Sequence, residues 1–357
     1  MADLRPAARV PLLVLGMLSL VGGVLAGLTR LDWSTPASAA NAAGWHGALM
    51  ICTFLGTVIS LERAAALSRG WAYAAPAAAG IGGIALLAAA PLILGKLLLT
   101  AAAATLLLAS VQVLRRQVAP FTIILGAGAA CWLAGNLVWL AGGPLTAAVP
   151  WWLAFLVLTI AGERIELTRL LPTPAGAQRL FYVITGGIIA GAALSHGQQE
   201  AGLALFAAGL LALALWLLRY DIARRNARTT DLTRFIAVCL LSGYGFLVLA
   251  GLLGLAGGFQ PGHPWRDATL HAVGLGFVFS MIFGHAPIIF PAVLRVKIPY
   301  HPDFYVPLLV LHASLALRIF GGLDDAFALR RAGGLLNAIA LLLFIVTMLT
   351  AVRRGKR

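Results

Sequence analysis

Charge is what this chain has least of. Only 11% of its 357 residues are Asp, Glu, Lys or Arg and 61% are hydrophobic, where soluble domains carry about 25% charged residues. That imbalance excludes a soluble globular protein and any sizeable soluble domain. Acids are the scarcer sign, 12 against 26 bases, for a net charge of +14. A nucleic-acid partner is nevertheless rejected by layout, because the bases sit in short loops between apolar runs, as the positive-inside rule expects of membrane proteins. Cysteine is almost missing. Cys52, Cys131 and Cys239 stand singly inside apolar runs with no CxxC, which argues against a disulfide framework or zinc-thiolate site and leaves three small buried packers. Also lacking are GxGxxG, a Walker loop, an ordered Ser-His-Asp set and the CxxCH of covalent haem.

What the chain does have is apolar length. Runs able to cross ~30 Å of hydrocarbon fall near 10–28, 44–66, 72–90, 93–113, 120–141, 149–170, 179–195, 201–219, 234–257, 267–292, 303–321 and 332–351. The expectation is an all-α polytopic membrane protein of about 12 transmembrane helices, with 1–357 as one transmembrane domain. The first run follows Arg5 and Arg9 and precedes STPASAA, but it is long for a signal-peptide core and reads as a retained span. The third and fourth runs are split only by Pro91 and a short turn. Other joints carry turn chemistry: GGP at 142–144, PTPAG at 172–176, GGFQPGHP at 257–264 and IPYHPD at 298–303.

With the N-terminus inside, 20 of the 26 Lys and Arg fall on the inner side. Both termini are therefore expected in the cytoplasm, across a bacterial-type inner membrane. The largest basic patch, YDIARRNARTTD, suits anionic lipid headgroups. Three stretches, TVISLERAAAL, LTIAGERIELTRL and SMIFGHAPIIF, align Glu62, Glu163 and His285. They suggest three pseudo-repeats of four helices, about 1–115, 116–230 and 231–357.

An ionisable side chain inside a span is costly and is a functional hypothesis by default. Four of the seven histidines, His46, His271, His285 and His312, lie within spans. His196 and His263 fall in outer loops as solvated polar residues, and His301 reads as a cap in an inner turn. His271 and His285 bracket HAVGLGFVFSMIFGHA, fourteen residues apart; in an α-helix that is ~21 Å of rise with both rings on roughly one face. His46 opens span two and His271 opens span ten at matched outer depth. Two imidazoles from two helices at one depth are the pattern of a bis-histidine haem b site. Gly44, Gly47, Gly274 and Gly276 would thin the helices where a flat macrocycle approaches. The plainer alternative is hydrogen bonding between helices.

His285 and His312 are candidate ligands for a second metal or members of a proton path, with hydrogen bonding between helices as the equal alternative, and imidazole suits copper, iron and zinc alike. Pro287 and Pro291 are expected to loosen the inner end of span ten. Glu62 and Glu163 each precede an arginine, Arg63 and Arg164. They read as interfacial ion networks or, with His285, as a proton path on the cytoplasmic side. Arg318 is a candidate partner for haem propionates or for Asp324 and Asp325, with snorkelling as the plainer reading, and PWW at 150–152 is expected in an interfacial aromatic belt.

Twelve spans with both ends inside, and histidines early in spans two and ten, resemble the catalytic subunit of haem–copper oxidases. The resemblance implies that His46 and His271 ligate a low-spin haem. Span six has no HPEVY-like motif, span seven no His-His pair and span ten no HxH, so a copper–haem centre that reduces oxygen is not implied. The NnrS family of haem- and copper-containing membrane proteins, linked to nitric-oxide stress and denitrification, is more similar. WHGALMICTFLG at 45–56 is similar to its WHxHE-type motif with the second histidine and the acid replaced. His271 through Met281, then Gly284-His285 and Leu317-Arg318, are similar to its HxxxxGxxGxMI…GH…LR pattern. The resemblance implies haem b, copper, redox or gas-ligand handling with nitric oxide as the small molecule, and an electron-donor protein or quinol as partner. Two rivals stand beside it: a secondary transporter or permease whose polar residues line a path, and an assembly factor that handles haem or copper for another complex.

Overall fold

A lipid bilayer offers a backbone no water, so a spanning segment must satisfy its own N–H and C=O groups as a helix or a closed barrel. The computed structural model, which describes residues 3–169 and 174–356, takes the helical solution, with no strand among the described residues. Twelve helices there are long and apolar enough to cross a membrane: α1 Pro6–Thr29, α2 Ala43–Leu67, α3 Gly70–Leu87, α4 Leu92–Arg116, α5 Pro120–Leu140, α6 Leu145–Thr168, α7 Ala175–Leu194, α8 Gln199–Tyr220, α9 Asp231–Gly258, α10 Arg266–Leu294, α11 Pro302–Leu323 and α12 Phe327–Arg354. They run from 18 to 29 residues, or ~27 to ~44 Å at ~1.5 Å per residue. Every expected span is present within five residues of its expected bounds. The protein is an all-α, multi-pass membrane protein. Val10, Val14, Leu18 and Val21 form an exposed stripe along one face of α1, a surface suited to lipid tails.

The uncertain joint between the third and fourth spans is a true break. Ala89 takes a left-handed φ of 53°, and Pro91, which has no N–H to continue a helix, precedes α4. Gly257, at φ 93°, ends α9 in a conformation that a Cβ would strain. Residues 172 and 173 of the PTPAG turn lie outside the described residues. The prolines of span ten do not loosen it: α10 stays helical through Pro287 and Pro291 to Leu294. Arg9 Nη1 donates to the carbonyl oxygen of Val293 at 2.9 Å, a cation on the last turn where helix carbonyls lack partners.

Packing divides the chain into two compact units, Met1–Glu163 with Val293–Arg295, and Arg164–Ala292 with Val296–Arg357. The three-fold sequence likeness concerns internal similarity and is a separate matter from this division. In the first unit α1 lies against α2 and α3, α2 against α3 and α4, and α4 against α3 and α5. Buried Asn136 of α5 ties it together: its Nδ2 donates to the Leu99 carbonyl at 2.9 Å, and its Oδ1 accepts from Trp152 Nε1 at 3.1 Å and Cys52 Sγ at 3.6 Å. Trp152 is therefore a fully buried core residue, not a lipid-facing member of an interfacial belt. All three cysteines are free and buried, as expected.

In the second unit the helices pack in chain order, each of α7 to α11 against the next. The α7–α8 contact is backbone on backbone. A Cβ added to Gly191 would run into the amide nitrogen of Phe206, and one added to Gly202 into that of Ser195, the close approach that small residues allow between membrane helices. Gly191→Leu should force this hairpin apart at a cost of ~1–3 kcal/mol. Its apparent melting temperature in detergent should fall well below that of Gly186→Leu, where an added Cβ meets nothing within 4 Å. Equal melting of the two variants would refute the contact.

Candidate functional site

The two helices that carry the proposed haem ligands share a departure from α-helical spacing. In α2, His46 opens a single α-turn, His46–Ala48, followed by a π-helical stretch, Leu49–Leu55. In α10, His271 closes the α-turns Arg266–His271 and a π-helical stretch, Ala272–Phe279, follows at once. A π-turn bonds i to i+5, widens the helix, and is concentrated at functional sites. The count that put His271 and His285 on one face holds for an uninterrupted α-helix and does not carry across eight π-helical residues.

In the first unit, His46 lies against α1. Its Nδ1 is 2.7 Å from the carbonyl oxygen of Gly23. A carbonyl only accepts, so Nδ1 carries the hydrogen and Nε2 carries the lone pair. Gly27 lets α1 come this close, since an added Cβ there would stand 2.7 Å from Cε1 of the ring. On the His46 side, a Cβ at Gly44 meets nothing within 4 Å, and one at Gly47 meets only Leu145 at 3.8 Å.

In the second unit, His271 is held the same way by its own helix. Nδ1 sits 2.8 Å from the Asp267 carbonyl oxygen and 3.3 Å from the Asp267 carboxylate, so Nδ1 again carries a hydrogen and in the neutral ring the lone pair is on Nε2. Asp267 is clamped in turn by Arg318, whose Nε and Nη2 donate to its two carboxylate oxygens at 2.9 and 2.8 Å. This overturns the assignment of Arg318 to Asp324 and Asp325: its partner lies 51 residues back in the chain, on the helix that carries His271. A Cβ at Gly274 meets nothing within 4 Å, but Gly276 packs on the ring of Phe246. Gly276 thus serves helix packing and not the approach of a ligand.

The other intramembrane histidines have local duties. His285 Nδ1 is 2.7 Å from the Met281 carbonyl oxygen. Ser280 Oγ donates to the Gly276 carbonyl, so it accepts from His312 Nε2 at 2.8 Å and the His312 lone pair falls on Nδ1. The His312 ring also rests on Phe246, with centroids 5.0 Å apart. Among the described residues no group of three or more His, Cys, Asp or Glu side chains is gathered as for a metal. That bears on a closed all-protein metal site, whereas a haem needs only two axial side chains.

The carboxylates differ from one another. Glu163 pairs with Arg63 at 2.8 Å, joining α6 to α2 across 100 residues. Glu62, its sequence counterpart, is half-buried beside Arg63. Arg164 is buried and makes a two-point ion pair with Asp221 at 2.8 and 3.0 Å. Asp221 also accepts from Tyr244 Oη at 3.2 Å and from the Ala223 amide at 2.7 Å. Nothing in the sequence spacing singled out Asp221 or Tyr244; the one available signal was a lone acid at the head of a basic loop. Of the loop histidines, His196 is exposed, His263 lies against Trp265, and His301 accepts from the Asp303 amide as the cap of the turn that opens α11.

No curated protein matches the chain. The family model that does match spans residues 9–353, nearly the whole transmembrane fold, and the chain belongs to that family, described as a domain of unknown function (DUF8744).

Proposed function

We propose that this chain is an integral membrane haem protein in which His46 and His271 supply the axial imidazoles. Its task on this reading is redox or gas-ligand handling in a bacterial-type inner membrane. The observation that carries the proposal is the state of the two rings. Each opens or closes an α-turn beside a π-helical stretch, and each has Nδ1–H committed to a backbone carbonyl. That commitment orients the ring and puts the lone pair on Nε2, the arrangement in which histidine ligates a metal. The open surfaces at Gly44 and Gly274 fit the approach of a macrocycle. Haem, when bound, supplies a one-electron couple and an iron that takes small gas ligands.

Each neighbouring residue then has a task. The Gly23 carbonyl holds His46 and the Gly27 surface sets its distance from α1. The Asp267 carboxylate adds negative charge beside His271, and Arg318 balances it. The likeness to NnrS proteins favours nitric oxide as the small molecule, an electron-donor protein or quinol as the reductant, and copper as the metal that His285 and His312 would share. The haem assignment does not depend on these three.

The test is optical. The chain purified in detergent from cells supplied with haem should show the sharp dithionite-reduced bands of a six-coordinate b haem, and His46→Ala and His271→Ala should each abolish them. His196→Ala, in an exposed loop, should leave them intact. A colourless wild type without bound iron would overturn the proposal and bring forward the transporter reading.

A further inference from the structure

A cleft of about 450 Å³ lies in the first unit between the last turns of α4 and the first turn of α3, lined by Trp71, Leu108, Val111, Gln112 and Arg115. The four residues from α4 follow the spacing i, i+3, i+4, i+7 and so share one face of the helix. Along that face the chemistry is graded. Leu108, 62% exposed, and Val111 are apolar, Gln112 is polar, and exposed Arg115 lies in the last turn of the helix. Among the described residues Arg115 enters no hydrogen bond or ion pair, and none of the five lining residues is acidic. Trp71 stands opposite at the start of α3, where an indole suits the headgroup level of a membrane.

We propose that this cleft binds one anionic phospholipid. The acyl chain would run along Leu108 and Val111, and the phosphate would sit on the Arg115 guanidinium and the Gln112 amide, with Trp71 covering the glycerol region. A free phosphate would use the arginine but leave the apolar stripe without purpose, so a lipid is the occupant that matches the whole lining. The site is distinct from the basic loop after α8, and it does not rest on the haem reading.

Native mass spectrometry on the delipidated full-length chain in detergent tests this, with phosphatidylglycerol and phosphatidylcholine as probes. The wild type should retain one phosphatidylglycerol more tightly than phosphatidylcholine. Removing one interfacial cation should weaken it about fivefold, so Arg115→Gln should lose that factor, while Arg228→Gln, which removes the same charge from the other loop, should not. Gln112→Glu, a surface change that keeps the fold, should weaken it further by setting an acid against the phosphate. Equal affinity for the two lipids, equal loss in Arg115→Gln and Arg228→Gln, or displacement by millimolar inorganic phosphate would each overturn the proposal.

Discussion

Arg164→Ala should cost about 3–5 kcal/mol of stability, because it leaves the Asp221 carboxylate buried without its cation. Arg164 and Asp221 are 4% and 8% exposed, and the guanidinium reaches both carboxylate oxygens. What remains after truncation is a charge held by Tyr244 and one backbone amide. Taking out both charges together is different, since an ion pair replaced by apolar groups of similar volume is often neutral. Arg164→Met combined with Asp221→Leu should therefore recover most of the loss. The adjacent pair gives an internal control. Arg63 and Glu163 keep 24% and 21% of their side-chain surface, so Arg63→Ala should cost no more than about 1 kcal/mol. Unfolding in mixed micelles would measure all three variants against the wild type. If Arg164→Ala melted with the wild type, or the double variant were no better than the single one, the pair would not be an anchor.

These two ion pairs mark the limit of what was legible in the sequence. All twelve spans were readable because a bilayer demands ~20 apolar residues per helix whatever the helix later touches. The Arg–Glu and Arg–Asp partnerships were not, because they depend on which helix faces lie together. Glu62 and Glu163 looked alike as residues preceding an arginine, yet Glu163 reaches back to Arg63 while its own neighbour Arg164 turns to Asp221. Arg318 was drawn to the acids nearest in sequence, Asp324 and Asp325, and packing gave it Asp267. The π-helical stretches were hidden for another reason. One extra residue per turn leaves the apolar run as long and as apolar as before, so only the phase changes, and in a helix buried on most sides phase carries little signal. The candidate ligands were legible because an imidazole in hydrocarbon stands out, but the carbonyls that orient them belong to backbone that sequence does not distinguish.

The ring of His271 offers the second large effect. Asp267→Ala strips a two-point carboxylate from Arg318, which is 8% exposed, and should cost about 3 kcal/mol, read as a lower melting temperature whether or not haem is bound. Asp267→Asn keeps the shape and removes the charge. On the haem reading, a carboxylate 3.3 Å from His271 Nδ1 makes the imidazole a stronger donor and favours ferric iron. Asp267→Asn should then raise the haem midpoint potential. Arg318→Gln should lower it, because the same carboxylate then acts on the ring without a balancing cation. The two variants loosen the same contact, so a purely structural role would move both potentials in one direction. Opposite signs in a redox titration would tie Asp267 and Arg318 to the electronics of His271, and a shared sign would reduce them to supports for α10 and α11.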